Sequence, residues 1–560
     1  MSSLSSSEEV ARIDDDVAIK IASAVGNDVI QEAKEATQHE ISMGFIEAIQ
    51  TYPLAVLYSV GISMAIVMES YDTMLLGNFF AQPAFQKKFG VCTSNGKCQL
   101  PASWQSGLSD GAQVGSIIGL LSVGWLTDKW GYRKTMIYSL ICMSAFNFIV
   151  FFANDLVTLL IGQILQGLPW GIYQSLAVSY AADVCPVALR PILTSYVNFC
   201  WGVGHLIAAG VLRSTVQRKD DWAWRIPYAI QWIWPPIVIF FSILAPESPW
   251  YLVRKGRIAE AERAVHRLQG VNSSKEKAKK TVAMLKHTNE LEIAATKGAT
   301  YLDCFKGTNL RRTEIGIMVW LAQQFTGWVL ARYATYYLVT AGVPATHAFD
   351  LNIGNQAIQV IGTISSWFTM MWFGRRTLYL AGEILMWINL LIVGIVYCLG
   401  ITPYATGGLL LCLVAIYSCT IGPSCYTLVA EIPSTRLRAK SVGIARIGYN
   451  VAGIVLASTT PYMLNPKAWN LGGKSAFIWM STSAIVITWT FFRLPETKNR
   501  SYSELDVLFN NKVPARKFKI TKVNQFSHHH QQEEDNSKEV EEKSKHITLD
   551  GGAIIPTLVV

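Results

Sequence analysis

The chain has 560 residues, of which 51% are hydrophobic and 16% charged, and its mean hydropathy is +0.28. Its 18 Trp and 41 Gly fit a membrane protein, in which both residue types are enriched. The net charge of +9 would suit nucleic acid, but the basic residues sit in loops beside apolar runs, which argues against that partner.

Residues 1–49 are rich in Ser, Asp and Glu and read as a disordered cytoplasmic tail. No cationic segment, short apolar core and cleavage site open the chain, so the first membrane helix is expected to direct targeting. Twelve apolar runs follow. Six lie at about 52–80, 104–126, 135–153, 156–182, 191–212 and 223–245, within a first bundle at 50–245. A polar central loop spans 246–312. Six further runs, at about 313–338, 348–372, 377–399, 406–430, 440–463 and 474–492, form a second bundle at 313–493, followed by a tail at 494–560. Each run is long enough to cross a bilayer core, which needs ~20 residues.

The first run contains MESYDTMLLG, with Glu69 and Asp72 three positions apart and so on one helix face. A carboxylate in a membrane helix costs roughly 2.5–3.5 kcal/mol on insertion scales, so it faces a cavity or a partner. Burial also suits it to carrying a proton. A buried soluble helix with a paired acid is the alternative.

Basic residues set the orientation. Lys129, Arg133, Lys134, Arg190, the central cluster, Arg375, Arg376, Arg436, Arg438 and Lys440 fall in loops on the side of both tails, which are therefore expected in the cytoplasm. The sequons at Asn272 and Asn499 lie on that side and are expected to be unmodified. Six of the ten cysteines lie within runs as packing residues, while Cys92 and Cys98 share an outer loop where a disulfide is permitted. No cysteine spacing suggests a metal site, and no phosphate loop or nucleophile triad suggests an enzyme or a cofactor.

The two halves repeat each other. GWLTDKWGYRK, with Gly131, is echoed by WFGRRTL, with Gly374, at an offset of 243. Asp183 and Arg190 match Glu431 and Arg438, each pair seven apart, at an offset of 248. PESPW matches PETKN, so that Glu247 corresponds to Glu496 at an offset of 249. Such repeats imply two pseudo-symmetric six-helix bundles with a site between them.

On these motifs, with ESYDTMLLG, AADVCPVALR, QWIWPP, APESPWYLVRKGR, AEIPSTRLRAK, LPETKNRS and VPARKFKITKV, the sequence resembles the sugar-porter group of the major facilitator superfamily. Within it, the resemblance is to the yeast maltose and general α-glucoside permeases, from about Ile49 to Phe526. It implies an all-α membrane protein of 12 transmembrane helices that carries an α-glucoside, typically maltose, with protons across the plasma membrane. Uniport with lost coupling and a non-transporting sugar sensor are the rivals. The tail, with HHH at 528–530 and lysines up to Lys545, could signal or offer sites to a ubiquitin ligase.

Asp128, Arg133, Lys134, Asp183, Arg190, Glu247, Arg375, Arg376, Glu431, Arg436, Arg438 and Glu496 are expected to form gating ion pairs, the alternative being snorkelling charges that set topology. The family's acid near Met371 is missing, which implies a weaker second gate. Sugar binding needs a few polar groups in a mostly apolar cavity. Gln323 and Gln324 match the family's sugar-contacting glutamines, and Asn198 and His205, seven apart, align with polar sugar-site positions. Gln359 stands for an Asn, Tyr426 replaces a stacking Trp, and Asn450 follows; helix–helix hydrogen bonds are the alternative role. Val329 replaces a usual Asn. Asp72 matches the family's membrane aspartate, whose arginine partner is here Gln163, so Arg446 is expected to replace that cation. Ser116 replaces a Glu of the branch, Asp110 lies about 240° round the helix from it, and Arg332 and Glu383 are extra membrane charges without an assigned role.

Overall fold

A computed structural model describes residues 10–12, 15–80, 82–92, 98–215, 218–270, 274–295, 300–332, 345–464, 469, 471–524 and 526. Helices occupy all twelve expected positions. In the first half they are α4 (Pro53–Phe79), α6 (Ala102–Trp130), α7 (Tyr132–Phe151), α8 (Leu156–Val184), α9 (Arg190–Thr215), and the pair α10 (Trp222–Ile230) and α11 (Trp234–Leu244). In the second half they are the pair α15 (Gly307–Gln323) and α16 (Val329–Arg332), then α17 (Ala345–Trp372), α18 (Arg375–Cys398), the pair α19 (Pro403–Cys419) and α20 (Ile421–Glu431), α21 (Arg438–Leu464) and α22 (Ser475–Arg493). Among the described residues nine of these are long and apolar enough to cross a membrane. The remaining three are α6, the α15–α16 pair and α17. The helices carry apolar residues on their outer faces as well, such as Ile118, Leu121, Phe240, Ile361, Phe368 and Ile485, as lipid contact requires.

Breaks in three helices have local causes. Pro227 and Pro235 flank a 3₁₀ turn, Gln231–Ile233, between α10 and α11. A π turn at Gln324–Trp328 separates α15 from α16, with Gly327 at φ 87° packed against Leu390. Thr420, with φ −130° and ψ −80°, separates α19 from α20. Helices α6 and α8 touch backbone to backbone, because a Cβ on Gly115 would lie 2.0 Å from the Ile164 carbonyl oxygen.

The polar segments gather at the end of the bundle where the first and last described residues lie. They comprise β1 (Val10–Arg12), α1 (Asp15–Val25), α2 (Asn27–Ser42), α3 (Phe45–Thr51), α12 (Pro249–Arg254), α13 (Ile258–Gln269), α14 (Lys275–Ala295), α23 (Tyr502–Asn510) and β4 (Lys522–Asn524). Strands β1 and β4 pair in parallel, joining one end of the chain to the other. At the opposite end lie α5 (Pro83–Phe89) and the short strands β2 (Val91–Cys92) and β3 (Cys98–Gln99). Their register sets Cys92 across from Cys98, while the two side chains lie outside the described structure.

The N-terminal segment departs from the expected disorder. From Asp15 it is helical, because Ile21, Val25, Ile30, Ala33 and Thr37 recur at helical spacing and are buried. Its polar composition concealed that amphipathic stripe. Ion pairs Lys279–Glu32 (2.8 Å) and Lys280–Glu35 (2.9 Å) lie on the exposed side, where they contribute little. The sequon at Asn272 and the HHH segment fall outside the described residues.

Candidate functional site

Two polar layers stand out, one at the end bearing the termini and one at mid-bundle. In the first, equivalent glutamates cap equivalent helices. Glu247 accepts the backbone N–H of Tyr132 (2.8 Å) and Arg133 at the start of α7. Glu496 accepts that of Arg375 (2.7 Å) at the start of α18. Each cap needs a glycine beside it, since a Cβ would meet the carboxylate at 2.4 Å on Gly131 and at 2.0 Å on Gly374. Burial pushes Glu247 above the usual carboxylate range, against three backbone N–H donors and Arg133 that pull it down.

The acids in the last turns of α8 and α20 are held differently. Asp183 meets Arg438 of the other half, with both side chains essentially buried, and accepts the Ser248 hydroxyl at 2.6 Å. Lys440 likewise reaches Asp128 across the halves. Glu431 stays within its half, with Arg375 at 3.4 Å and the Thr497 hydroxyl at 2.6 Å. Tyr502 of α23 lies between the guanidinium groups of Arg190 (3.8 Å) and Arg438 (4.1 Å), one from each half. The central helices join both halves as well. Tyr301 donates to Leu121 O (2.7 Å) on α6, and Glu292 accepts the Thr435 N–H (2.6 Å) ahead of α21.

Several charges expected in gating ion pairs are held in other ways. Arg190 does not meet Asp183; its ion partner is Glu40 of α2, at 3.9 Å, because the N-terminal helices occupy the space beside it. Arg133 gives its backbone N–H to Glu247, and Lys134 is exposed, with no ion pair for either side chain among the described residues. Arg376 donates to the Phe491 carbonyl (2.7 Å), and the Arg436 N–H donates to Glu292 (3.0 Å). Where the family acid near Met371 is missing, Lys498 donates to the carbonyls of Met371 and Trp372, both at 2.9 Å, and closes the end of α17.

The mid-bundle layer is mostly buried. Glu69 accepts the Gln174 amide N–H at 2.5 Å, and the oxygen of the same amide accepts from Arg446 Nε at 3.0 Å. Arg446 lies over Trp320 (4.4 Å) and Tyr449 (4.2 Å). Asp72 turns away from this bridge: its neighbours are Gln231 and Tyr228, and both its oxygens are buried without a hydrogen-bond partner among the described residues. Three helical positions rotate side chains by about 60°, enough to send the two acids to different neighbours. Arg446 therefore meets Glu69 through Gln174, and not Asp72. Gln163 donates to the Tyr228 hydroxyl at 3.3 Å, beside Asp72.

Sugar-site candidates surround the bridge. Gln323 accepts from the Tyr417 hydroxyl (3.0 Å), and Tyr417 stacks on Trp328 at 3.8 Å. Both polar atoms of Gln324 and the amide nitrogen of Gln323 are buried without partners among the described residues. Tyr426 meets Trp320 edge-on at 4.9 Å. Asn198 donates to Thr363 Oγ1 (3.0 Å) one turn from buried Gln359, and Asn450 donates to Ser116 Oγ (3.2 Å), each across the halves. His205 lies edge-on to Trp201 at 5.7 Å, more exposed than the others. Glu383 accepts from Thr490 (3.0 Å) between α18 and α22, away from this group, and the Arg332 side chain is outside the described structure.

Gln174, Tyr417, Trp328 and Tyr502 were missed from sequence. Gln174 carried the one available signal, a polar residue in an apolar run, but shared it with Gln163 and Gln166.

The chain matches known proteins over most of its length. The family described as "Sugar (and other) transporter" matches residues 58–509. The general alpha-glucoside permease of Saccharomyces cerevisiae is 39% identical over 502 residues, covering 88% of this chain and 82% of that protein. The maltose permease MAL61 of Saccharomyces cerevisiae is 38% identical over 542 residues, covering 95% and 88%. Among solved structures, the major facilitator superfamily proton:xylose symporter XylE superposes with a TM-score of 0.69 at 22% identity, over 82% of this chain and 99% of that one. With the fold and the family match in agreement, the chain belongs to the sugar transporter family and has the major facilitator fold.

Proposed function

We propose that this transporter carries an α-glucoside of the maltose type together with protons across the plasma membrane, by alternating access of residues 50–245 and 313–493 about the mid-bundle layer. The observation that supports it best is that layer itself. A buried acid, Glu69, is linked to a cation of the opposite half, Arg446, beside the amide nitrogen of Gln323 and the amide of Gln324, which have no partner among the described residues. Amides and aromatic faces suit a hydroxyl-rich ligand, and unpaired buried groups gain most from one. The named relatives, a general alpha-glucoside permease and a maltose permease, supply the substrate class, and the symporter fold relative supplies the proton.

In this reading Asn198, His205, Gln323, Gln324, Gln359, Tyr426 and Asn450 hold the sugar, and Glu69 and Asp72 receive the proton. The Asp183–Arg438 and Asp128–Lys440 pairs keep the cytoplasmic side shut, the glutamate caps and Glu431–Arg375 hold each half rigid, and both termini lie in the cytoplasm. The test is maltose-induced proton uptake in cells lacking other α-glucoside carriers, comparing wild type with Asp72→Asn and Glu69→Gln. Maltose entry with external alkalinisation, lost in the variants, is expected. Maltose entry with no proton signal from the wild type would sink the symport reading, and no entry of any glucoside would sink the substrate class.

A further inference from the structure

Gln174 is 7% exposed and lies between a wholly buried carboxylate and a guanidinium that is 5% exposed. It belongs to α8 and Glu69 to α4, both in the first half, whereas Arg446 is on α21 in the second. The amide is thus the hydrogen-bonded link from Arg446 to the opposite half, beside a longer contact of the guanidinium with the Trp201 ring of α9 at 5.6 Å. We propose that Gln174 is a positioning residue that converts protonation of Glu69 into release of Arg446, through rotation of its side-chain amide. The inference rests on the proton-coupled reading above.

The argument is one of donors and acceptors. An ionised carboxylate only accepts and a guanidinium only donates. A single amide orientation satisfies both, with NH₂ toward Glu69 and oxygen toward Arg446, as found. A proton on Glu69 creates a hydroxyl that needs an acceptor, while Glu69 Oε2 has no partner among the described residues. Turning the amide brings Gln174 Oε1 to that hydroxyl. The same turn presents NH₂ to the guanidinium, donor against donor, so the bond between the halves is lost. Arg446 then rests on Trp320 and Tyr449, both of its own half and nearer than Trp201 of the other, at 4.4 and 4.2 Å against 5.6 Å. The other titratable groups facing Glu69 are Asp72 on its own helix, Tyr173 on the Gln174 helix and Tyr426 on α20. None of them is recorded as a hydrogen-bond partner of Glu69.

The test uses the full-length carrier in vesicles, with maltose as the probe. Two readouts are compared: accumulation driven by a pH gradient, and counterflow at equal pH, which needs no net proton movement. Gln174→Met keeps length and removes both hydrogen-bonding atoms; Gln174→Glu accepts at both ends and cannot exchange donor for acceptor. In both variants accumulation is expected to fall about tenfold further than counterflow, the effect of losing one charge-assisted hydrogen bond, and the pH dependence of uptake to flatten. Acidified wild-type protein offers a readout independent of variant folding. Its glutamine side-chain carbonyl band in the infrared should shift, and the shift should be absent in Glu69→Gln. Accumulation by Gln174→Met in the wild-type ratio to counterflow would overturn the inference, as would an unshifted band in the wild type. A wild type that never couples maltose to protons would instead overturn the functional reading beneath it.

Discussion

Replacing Asp183 by Asn should open the end that bears the termini. In the shut state the side chains of Arg438 and Asp183 are 0% and 1% exposed, and Arg438 Nε and Nη2 already have no hydrogen-bond partner among the described residues. Breaking a buried ion pair by removing one charge costs about 3–5 kcal/mol. An asparagine oxygen can still accept from the guanidinium, which recovers about 1 kcal/mol or somewhat more. The remaining cost of about 2 kcal/mol falls on the shut state alone, since water solvates Arg438 once the halves part. At 1.36 kcal/mol per decade this is about a 30-fold gain in the open population. Cys304 provides the assay, because its thiol is buried against Ser441 of α21, 3.6 Å away, beside the Lys440 pair. When opening is fast and rare, the rate of thiol labelling follows the open population, so maleimide labelling of Cys304 should rise about 30-fold. The double substitution Asp183→Asn with Arg438→Gln buries no charge and should return the rate toward wild type. An unchanged rate in Asp183→Asn would refute the assignment of this pair as the lock.

Three further outcomes are expected. Gly131→Ala and Gly374→Ala should each expel a glutamate cap and lower stability by about 1–2 kcal/mol, with a larger fall in Tm at Gly131, whose φ of +84° strains any residue bearing a Cβ; a fall in only one would break the equivalence of the caps. Tyr417→Phe removes the bond to Gln323 and should raise the KM for maltose about fivefold, for a loss of about 1 kcal/mol, with little change in the amount of carrier at the membrane. His287 on α14 packs against Phe526, and burial pushes its pKa down to about 4 from an ordinary 6.5. The folded state thus binds fewer protons than the unfolded one between these values. Stability from this site is full above about pH 6.5 and is lost as the pH falls toward 4, by about 3 kcal/mol in all; proteolysis of α14 should quicken at pH 5, and His287→Phe should remove that dependence.

Much of this fold is legible in the sequence because a bilayer demands long apolar runs, and each run holds a helix or a broken pair of helices, the end of the 313–338 run lying outside the described residues. The breaks were less visible. Gly327 in QQFTGW reads as an ordinary glycine, and only its backbone in the folded chain, at φ 87°, marks the π turn. Repeated motifs located the charges of the gate but not their partners. Asp183 and Arg438 are 255 positions apart, and Asp128 and Lys440 are 312 apart, so tertiary contact alone decides which charge meets which. The spacing of Asp183 and Arg190 marked a repeat and named no partner, and the N-terminal helices supply one for Arg190 in Glu40. The same limit applied to Gln174. Three glutamines share α8, and only the neighbours Glu69 and Arg446 distinguish one of them.

The pairing of β1 with β4 bears on how the protein is made. Val10 lies opposite Lys522, 512 positions later, so the first strand leaves the ribosome long before its partner exists. At about 5–20 residues per second it waits roughly half a minute to two minutes with its hydrogen-bonding edge open. A chain that stops short of Lys522 never covers that edge. The small sheet therefore closes only once synthesis has passed residue 524, so its pairing separates chains that reached that point from shorter ones.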